Sequence, residues 1–162
     1  MHPKAPQQTS EPSPNFEDGE NIRSRTFLFS CRVVRFCQQL YGASGVARIL
    51  VPQLVNASTS CASMLEEARA AESDADFISK CAIALKECRE SWTRLRVCEA
   101  CRLGPEAEAH ELVQEANELI SIVTAIIRNK RRNMRDKTGR EGGRVRRSTS
   151  RAVSYEFHIP DS

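Results

Sequence analysis

The sequence predicts an all-α protein, an antiparallel up-down-up-down four-helix bundle with disordered N- and C-terminal tails. Three observations lead there. Four stretches carry apolar residues at steps of three and four, the period of a helix with one buried stripe. Short turn signals separate them, so neighbouring helices must reverse direction. Only 6% of the 162 residues are aromatic and seven are Gly, which disfavours a β-rich fold.

The clearest helix covers residues 76–101, with Phe77, Cys81, Ala84, Cys88, Trp92, Leu95 and Cys98 on its stripe. Ser73-x-x-Asp76 ahead of it resembles a capping box with Asp in the Glu/Gln slot. Ile78 and Leu85 widen the stripe, so this helix should touch more than one neighbour. Upstream, residues 24–41 place Phe27, Cys31, Val34, Cys37 and Tyr41 on one side, with Arg25, Arg32 and Arg35 on another. Gly42, Ser44 and Gly45 form the turn. The next helix, residues 46–71, has Val46, Leu50, Leu54, Ala57, Cys61, Met64 and Ala68 in register. Pro52 should kink it or reset its start, because an interior proline costs a backbone hydrogen bond. Arg102-Leu103-Gly104-Pro105 reads as a stop with Gly near C′, followed by a restart with Pro near N1. The last helix begins with Glu106, Glu108 and Glu111 and buries Leu112, Ala116, Leu119, Val123 and Ile126; both its acidic start and its basic end suit the helix dipole.

Domain organisation follows: a Pro-rich acidic leader over residues 1–22, a bundle over 23–132, and a basic tail over 133–162. The tail ends on Val153, Tyr155, Phe157 and Ile159, an alternation that suits either a loose terminus or a short docking strand. The net charge of +3 is unevenly spread. Residues 22–127 hold twelve basic and thirteen acidic side chains, whereas residues 128–151 hold eleven basic against two acidic. No run is long and apolar enough for a membrane span, and the N-terminus lacks the apolar core of a secretory signal. We therefore expect a cytoplasmic protein. Its seven cysteines then read as small core hydrophobes rather than a disulfide framework.

Several chemistries find no support. Cys98-x-x-Cys101 has metal-like spacing but no second pair or nearby His to complete four ligands. His110 has Ala107 three residues before it, so the Glu-x-x-His of a diiron bundle is missing. No glycine-flanked Ser or Cys nucleophile stands out. We expect no enzyme, no cofactor and no metal.

The basic residues point to nucleic acid. Candidates on the helices are Arg32, Arg35, Lys86, Arg89, Arg94 and Arg96. At and beyond the end of the last helix they are Arg128, Lys130, Arg131, Arg132, Arg135, Lys137, Arg140, Arg144, Arg146, Arg147 and Arg151. Such groups bind phosphates by releasing counterions, without reading bases. Few aromatics are present to stack on bases. The alternative is a protein–protein scaffold whose basic tail serves solubility or docking.

Three stretches also resemble the bacterial four-helix bundle family that includes the proteins of large-subunit rRNA intervening sequences and the accessory variability determinants of diversity-generating retroelements. They are Gln53-Leu54 through Thr59-Ser60 to Glu66-Glu67-Ala68; Asp76-Phe77-Ile78-x-Lys80 with Ala84-Leu85-Lys86-Glu87 and Glu90; and Gln114-Glu115-Ala116-Asn117-Glu118-Leu119. The second helix departs from the family pattern at Asn56, Ser58, Ala62 and Met64, and on the third helix Thr93-Arg94 replaces an aromatic pair. The resemblance implies a ring-like homopentamer and, in the retroelement branch, contact with RNA or DNA and a reverse transcriptase as partner.

Overall fold

A computed structural model describes the backbone of residues 21–40 and 45–149, and the side chains of residues 22–40 and 45–137. The leader to residue 20, Tyr41 and the rest of the first turn to residue 44, and residues 150–162 lie outside the described residues. Four helices account for nearly everything described: α1 (Asn21–Leu40), α2 (Ala47–Arg69), α3 (Asp74–Ala100) and α4 (Glu106–Thr149). Each helix packs on its sequence neighbours, and α1 closes the ring against α4; the backbones of the diagonal pairs stay more than 8 Å apart among the described residues. Contacts run in opposite chain directions at every seam. Arg23 reaches Glu66 and Ser30 reaches Ser58, while Cys61 meets Cys88 and Arg94 reaches Gln53. On α4, Glu99 meets His110 and Asp74 meets Lys130.

The core follows the expected stripes on three helices. Leu54, Ala57, Cys61 and Ala68 on α2 are buried, as are Cys81, Ala84, Cys88, Leu95 and Cys98 on α3. Leu112, Ala116, Leu119 and Val123 are buried on α4. Each buried Leu removes enough apolar surface to contribute about 2 kcal/mol. Phe77 and Trp92 pack only partly buried at the edges, and Ile127 replaces Ile126 at the end of the stripe.

On α1 the expected stripe is rotated. Phe27 is 62% exposed, whereas Phe29, Val33, Phe36 and Leu40 are buried together with Thr26, Ser30 and Cys37. Helix α1 is apolar on more than one side, and the winning seam is the one that hides two hydroxyls at low cost. The Thr26 hydroxyl donates to the Ile22 and Arg23 carbonyls, both at 2.9 Å. The Ser30 hydroxyl donates to Thr26 and, across the seam, to the Ser58 carbonyl at 2.7 Å. A hydroxyl satisfied this way can be buried without the usual penalty. On α2, Val46 is likewise exposed and Ala47 and Val51 turn inward. Pro52 sits inside α2, which begins at Ala47 ahead of it.

The ends show specific chemistry. Asp76 N–H donates to the Ser73 hydroxyl at 3.1 Å, and Asp76 accepts from the Glu72 N–H at 3.2 Å. This is a capping box shifted back by one residue. At the other end of α3, Leu103 N–H bonds to the Cys98 carbonyl and Arg102 N–H to that of Glu99, a Schellman motif. The left-handed C′ position belongs to Arg102 (φ 52°), not to Gly104. Gly104 (φ 84°) is required for a second reason: a Cβ there would lie 2.8 Å from Leu40 and 2.9 Å from Phe36. The α3–α4 turn therefore closes directly on the end of α1.

One helix runs beyond its apolar stripe, and one expectation about the cysteines changes. Helical backbone on α4 continues past Asn133 to Thr149. Arg, Lys, Glu and Met are good helix formers, and these favourable propensities accompany the Gly residues of the segment. The cysteines are not all lone thiols either: Cys61 and Cys88 form a disulfide joining α2 to α3, with Cα atoms 5.7 Å apart. Small side chains on both facing stripes let the two backbones come that close, and proximity, which sequence spacing does not report, decides the pairing. The remaining core thiols behave as hydrophobes. Burial pushes Cys37 up to about 12 and raises Cys81 and Cys98 as well.

Candidate nucleic-acid interface

Among the described residues of α4 the last buried position is Ile127, and cationic residues follow on the same helix. Arg128, Arg131, Arg132 and Arg135 follow at spacings of three, one and three, which places them on one face. With Ala82 and Leu85 of α3 they line a shallow groove of about 510 Å³ whose apolar floor also includes Ile127. A second groove, about 660 Å³, continues along α3 past Lys86, Arg89 and Arg94 and shares Ala82 and Leu85 with the first. The two form one strip with cationic walls and an apolar base.

Pairing separates the members of this strip. Glu90 holds Arg94 at 3.0 Å and Lys86 at 3.9 Å, and Arg94 also donates to Gln53 at 3.4 Å. Arg89, Arg128, Arg131 and Arg132 make no ion pair with any described residue, although Asp136 shares the groove with the last three. An arginine left in this state keeps its five N–H donors for a ligand, in a fork that suits phosphate.

Other sequence candidates fall elsewhere. Lys130 points to the opposite side of α4, 2.6 Å from Asp74 and 5.2 Å from the Phe77 ring centre. Its hydrogen bond holds the Asp74 carboxyl below the ordinary range, with a smaller contribution from the charge of Lys137. Arg96 lies over Trp92 at 4.6 Å. Arg32 is bound to Glu111 at 2.7 Å on the α1–α4 seam, and Arg35 is exposed on α1, whose backbone lies diagonally across the bundle from α3. Arg140, Arg144, Arg146 and Arg147 lie on the α4 backbone with side chains outside the described residues, as does all of Arg151.

Sequence reasoning missed the function of Arg25. It donates to Glu115 at 2.6 and 2.8 Å and also binds Glu118, which raises its pKa, the Glu115 hydrogen bond first. The signal was present as a seven-residue step. Arg25, Arg32 and Gln39 descend one side of the seam while Glu115 and Glu118, Glu111 and Glu108 ascend the other. Among the described residues no group of three or more His, Cys, Asp or Glu is placed to hold a metal, and no helix is long and apolar enough to cross a membrane.

The family model described as "23S rRNA-intervening sequence protein" matches residues 21–125. The chain belongs to that family. A solved relative is a protein of unknown function from the S23 ribosomal protein family of Bacteroides thetaiotaomicron, at 25% identity and a TM-score of 0.60. That alignment covers 65% of this chain and 97% of the other. No curated protein matches. The family match ends inside α4 before Arg128, so the cationic half of the helix lies beyond the matched residues.

Proposed function

We propose that this member of the 23S rRNA-intervening sequence protein family is a non-catalytic protein that binds the phosphate backbone of nucleic acid along the α3–α4 strip. The observation that carries this reading is the set of arginines on one face, Arg128, Arg131 and Arg132, with no ion pair to a described residue. Bases are not read, because the strip offers charge and a shallow apolar floor but no aromatic platform. The basic residues after Asn133 extend the same helix and add phosphate contacts. Self-association as a ring, a homopentamer, and a reverse-transcriptase partner are the further parts of the proposal that the family resemblance implies.

The test is fluorescence anisotropy with single-stranded RNA and DNA across a salt series, on the full chain and on a chain lacking residues 133–162. Removing those residues takes away Arg135, Lys137, Arg140, Arg144, Arg146, Arg147 and Arg151. The expected result is sharply weaker binding, with the salt slope reduced by about 0.7 for each lost contact on a single strand. Identical affinity and slope for both chains would confine the contacts to the bundle. Absence of binding by both at low salt would overturn the proposal.

A scaffold is the second reading, favoured by large apolar side chains in solvent: Phe27 is 62% and Ile49 66% exposed. Light scattering decides whether these faces meet copies of the chain; a monomer throughout the micromolar range contradicts self-association.

A further inference from the structure

At the end of the bundle where α1 begins, all four helices contribute to one cavity of about 340 Å³. Its walls are Ile22 of α1, Leu65 and Ala68 of α2, Phe77 and Cys81 of α3, and Ile126 of α4; Arg23 and Arg69 complete the lining. The two guanidiniums share a single carboxylate. Glu66 lies 3.3 Å from Arg23 and 3.9 Å from Arg69, leaving one positive charge in excess beside an apolar hollow. Such a site fits an apolar group flanked by acids.

The chain carries that combination next to the cavity. Residues 15–20 read Asn-Phe-Glu-Asp-Gly-Glu, and Phe16 is the one aromatic residue before α1. Ile22, six positions later, is itself a wall of the cavity, so an extended chain reaches about 20 Å, far enough to turn back at Gly19 and enter. Tethering gives this segment an effective concentration that no free ligand of equal chemistry matches. Helix α1 has no acid in its first turn, so Asp18 and Glu20 would also meet its positive end.

We infer that this cavity is the docking site of the chain's own segment 15–20, with the Phe16 ring among Leu65, Phe77 and Ile126 and the acids Glu17, Asp18 and Glu20 against Arg23 and Arg69. The contact stands or falls apart from nucleic-acid binding, since neither the cavity nor the segment belongs to the α3–α4 strip.

Photo-crosslinking of the full chain tests it. A benzophenone amino acid in place of Phe16 should link to the ends of α2 and α3, near Leu65 and Phe77, when the peptides are mapped by mass spectrometry. The same group in place of Gln8 should not. Charge reversal by E17K, D18K and E20K together should abolish the link while helical circular dichroism stays unchanged. Links no more frequent than from position 8, links that persist after charge reversal, or links found only between differently tagged copies would each overturn the inference. A second readout needs no bulky group: an anilinonaphthalene sulfonate dye should bind the F16A chain several-fold better than wild type, and A68W in the same chain should remove the gain. Equal dye binding by wild type and F16A would overturn it equally.

Discussion

The two halves of α4 carry charge of opposite sign and use it in different ways. In the first half four of the five carboxylates are taken up by neighbours: Glu108 by Gln39, Glu111 by Arg32, Glu115 and Glu118 by Arg25. In the second half Arg128, Arg131 and Arg132 have no described acid within ion-pair distance, whereas Lys130 is tied down by Asp74. The difference lies in what stands beside each half. Helix α1 lies along the first with cations at matching seven-residue steps. Beside the second, α3 offers Ala82 and Leu85, which have no charge to give. Charge on a helix is structural where a complementary helix runs beside it and available where one does not.

The largest effect should come from breaking the first half. Leu112 is fully buried, and Leu112→Asp places an unpaired carboxylate in the core. The cost of several kcal/mol is comparable with the stability of a small domain, so the chain should lose its cooperative melt in circular dichroism. Arg132→Asp, on the exposed half, should leave that melt in place. Leu85, which looks like core in sequence, is only partly buried against it and forms the groove floor, so Leu85→Asp should cost less than Leu112→Asp.

A smaller effect separates the seam from the strip. Arg25 holds Glu115 through two hydrogen bonds with its side chain only 27% exposed, so Arg25→Ala should destabilise the bundle by about 1–2 kcal/mol in denaturant titrations. Glu118 is largely exposed and adds little to that figure. Nucleic-acid affinity should be unchanged by Arg25→Ala.

The smallest effect belongs to Lys130, whose acid is Asp74. Asp74 is held below its ordinary pKa by Lys130. Its contribution is therefore present above the unfolded value, near 4, and is lost as the pH falls through the lowered folded value. Thermal melts of Asp74→Asn should show less acid sensitivity than wild type below about pH 4, and the same stability difference at every pH would contradict the link.

Much of this was legible without coordinates. Four apolar stripes at helical spacing and the Arg102-Leu103-Gly104-Pro105 break define the helices, and the cationic run after Ile127 marks the candidate site. The seam partners were not legible. Arg32 and Arg128 look alike in sequence, and only the position of α1 beside Glu111 turns the first into a clamp. The rotation of α1 was hidden for a related reason: Thr26 and Ser30 look polar until their hydroxyls are seen bonded to carbonyls. The Cys61–Cys88 bond likewise depends on how closely α2 and α3 approach, which small side chains permit but do not announce.

The central proposal is that Arg128, Arg131 and Arg132 bind phosphate, and one salt titration tests it directly. RNA affinity would be measured for wild type, for a chain with Arg128, Arg131 and Arg132 all changed to Gln, and for a chain with Arg25 and Arg32 changed to Gln. The account predicts that the first variant loses about 2 units of salt slope on single-stranded RNA, at about 0.7 per contact, and keeps its stability. The second should keep its slope and lose stability. A first variant with the wild-type slope, or a second variant that loses as much slope as the first, would contradict the account.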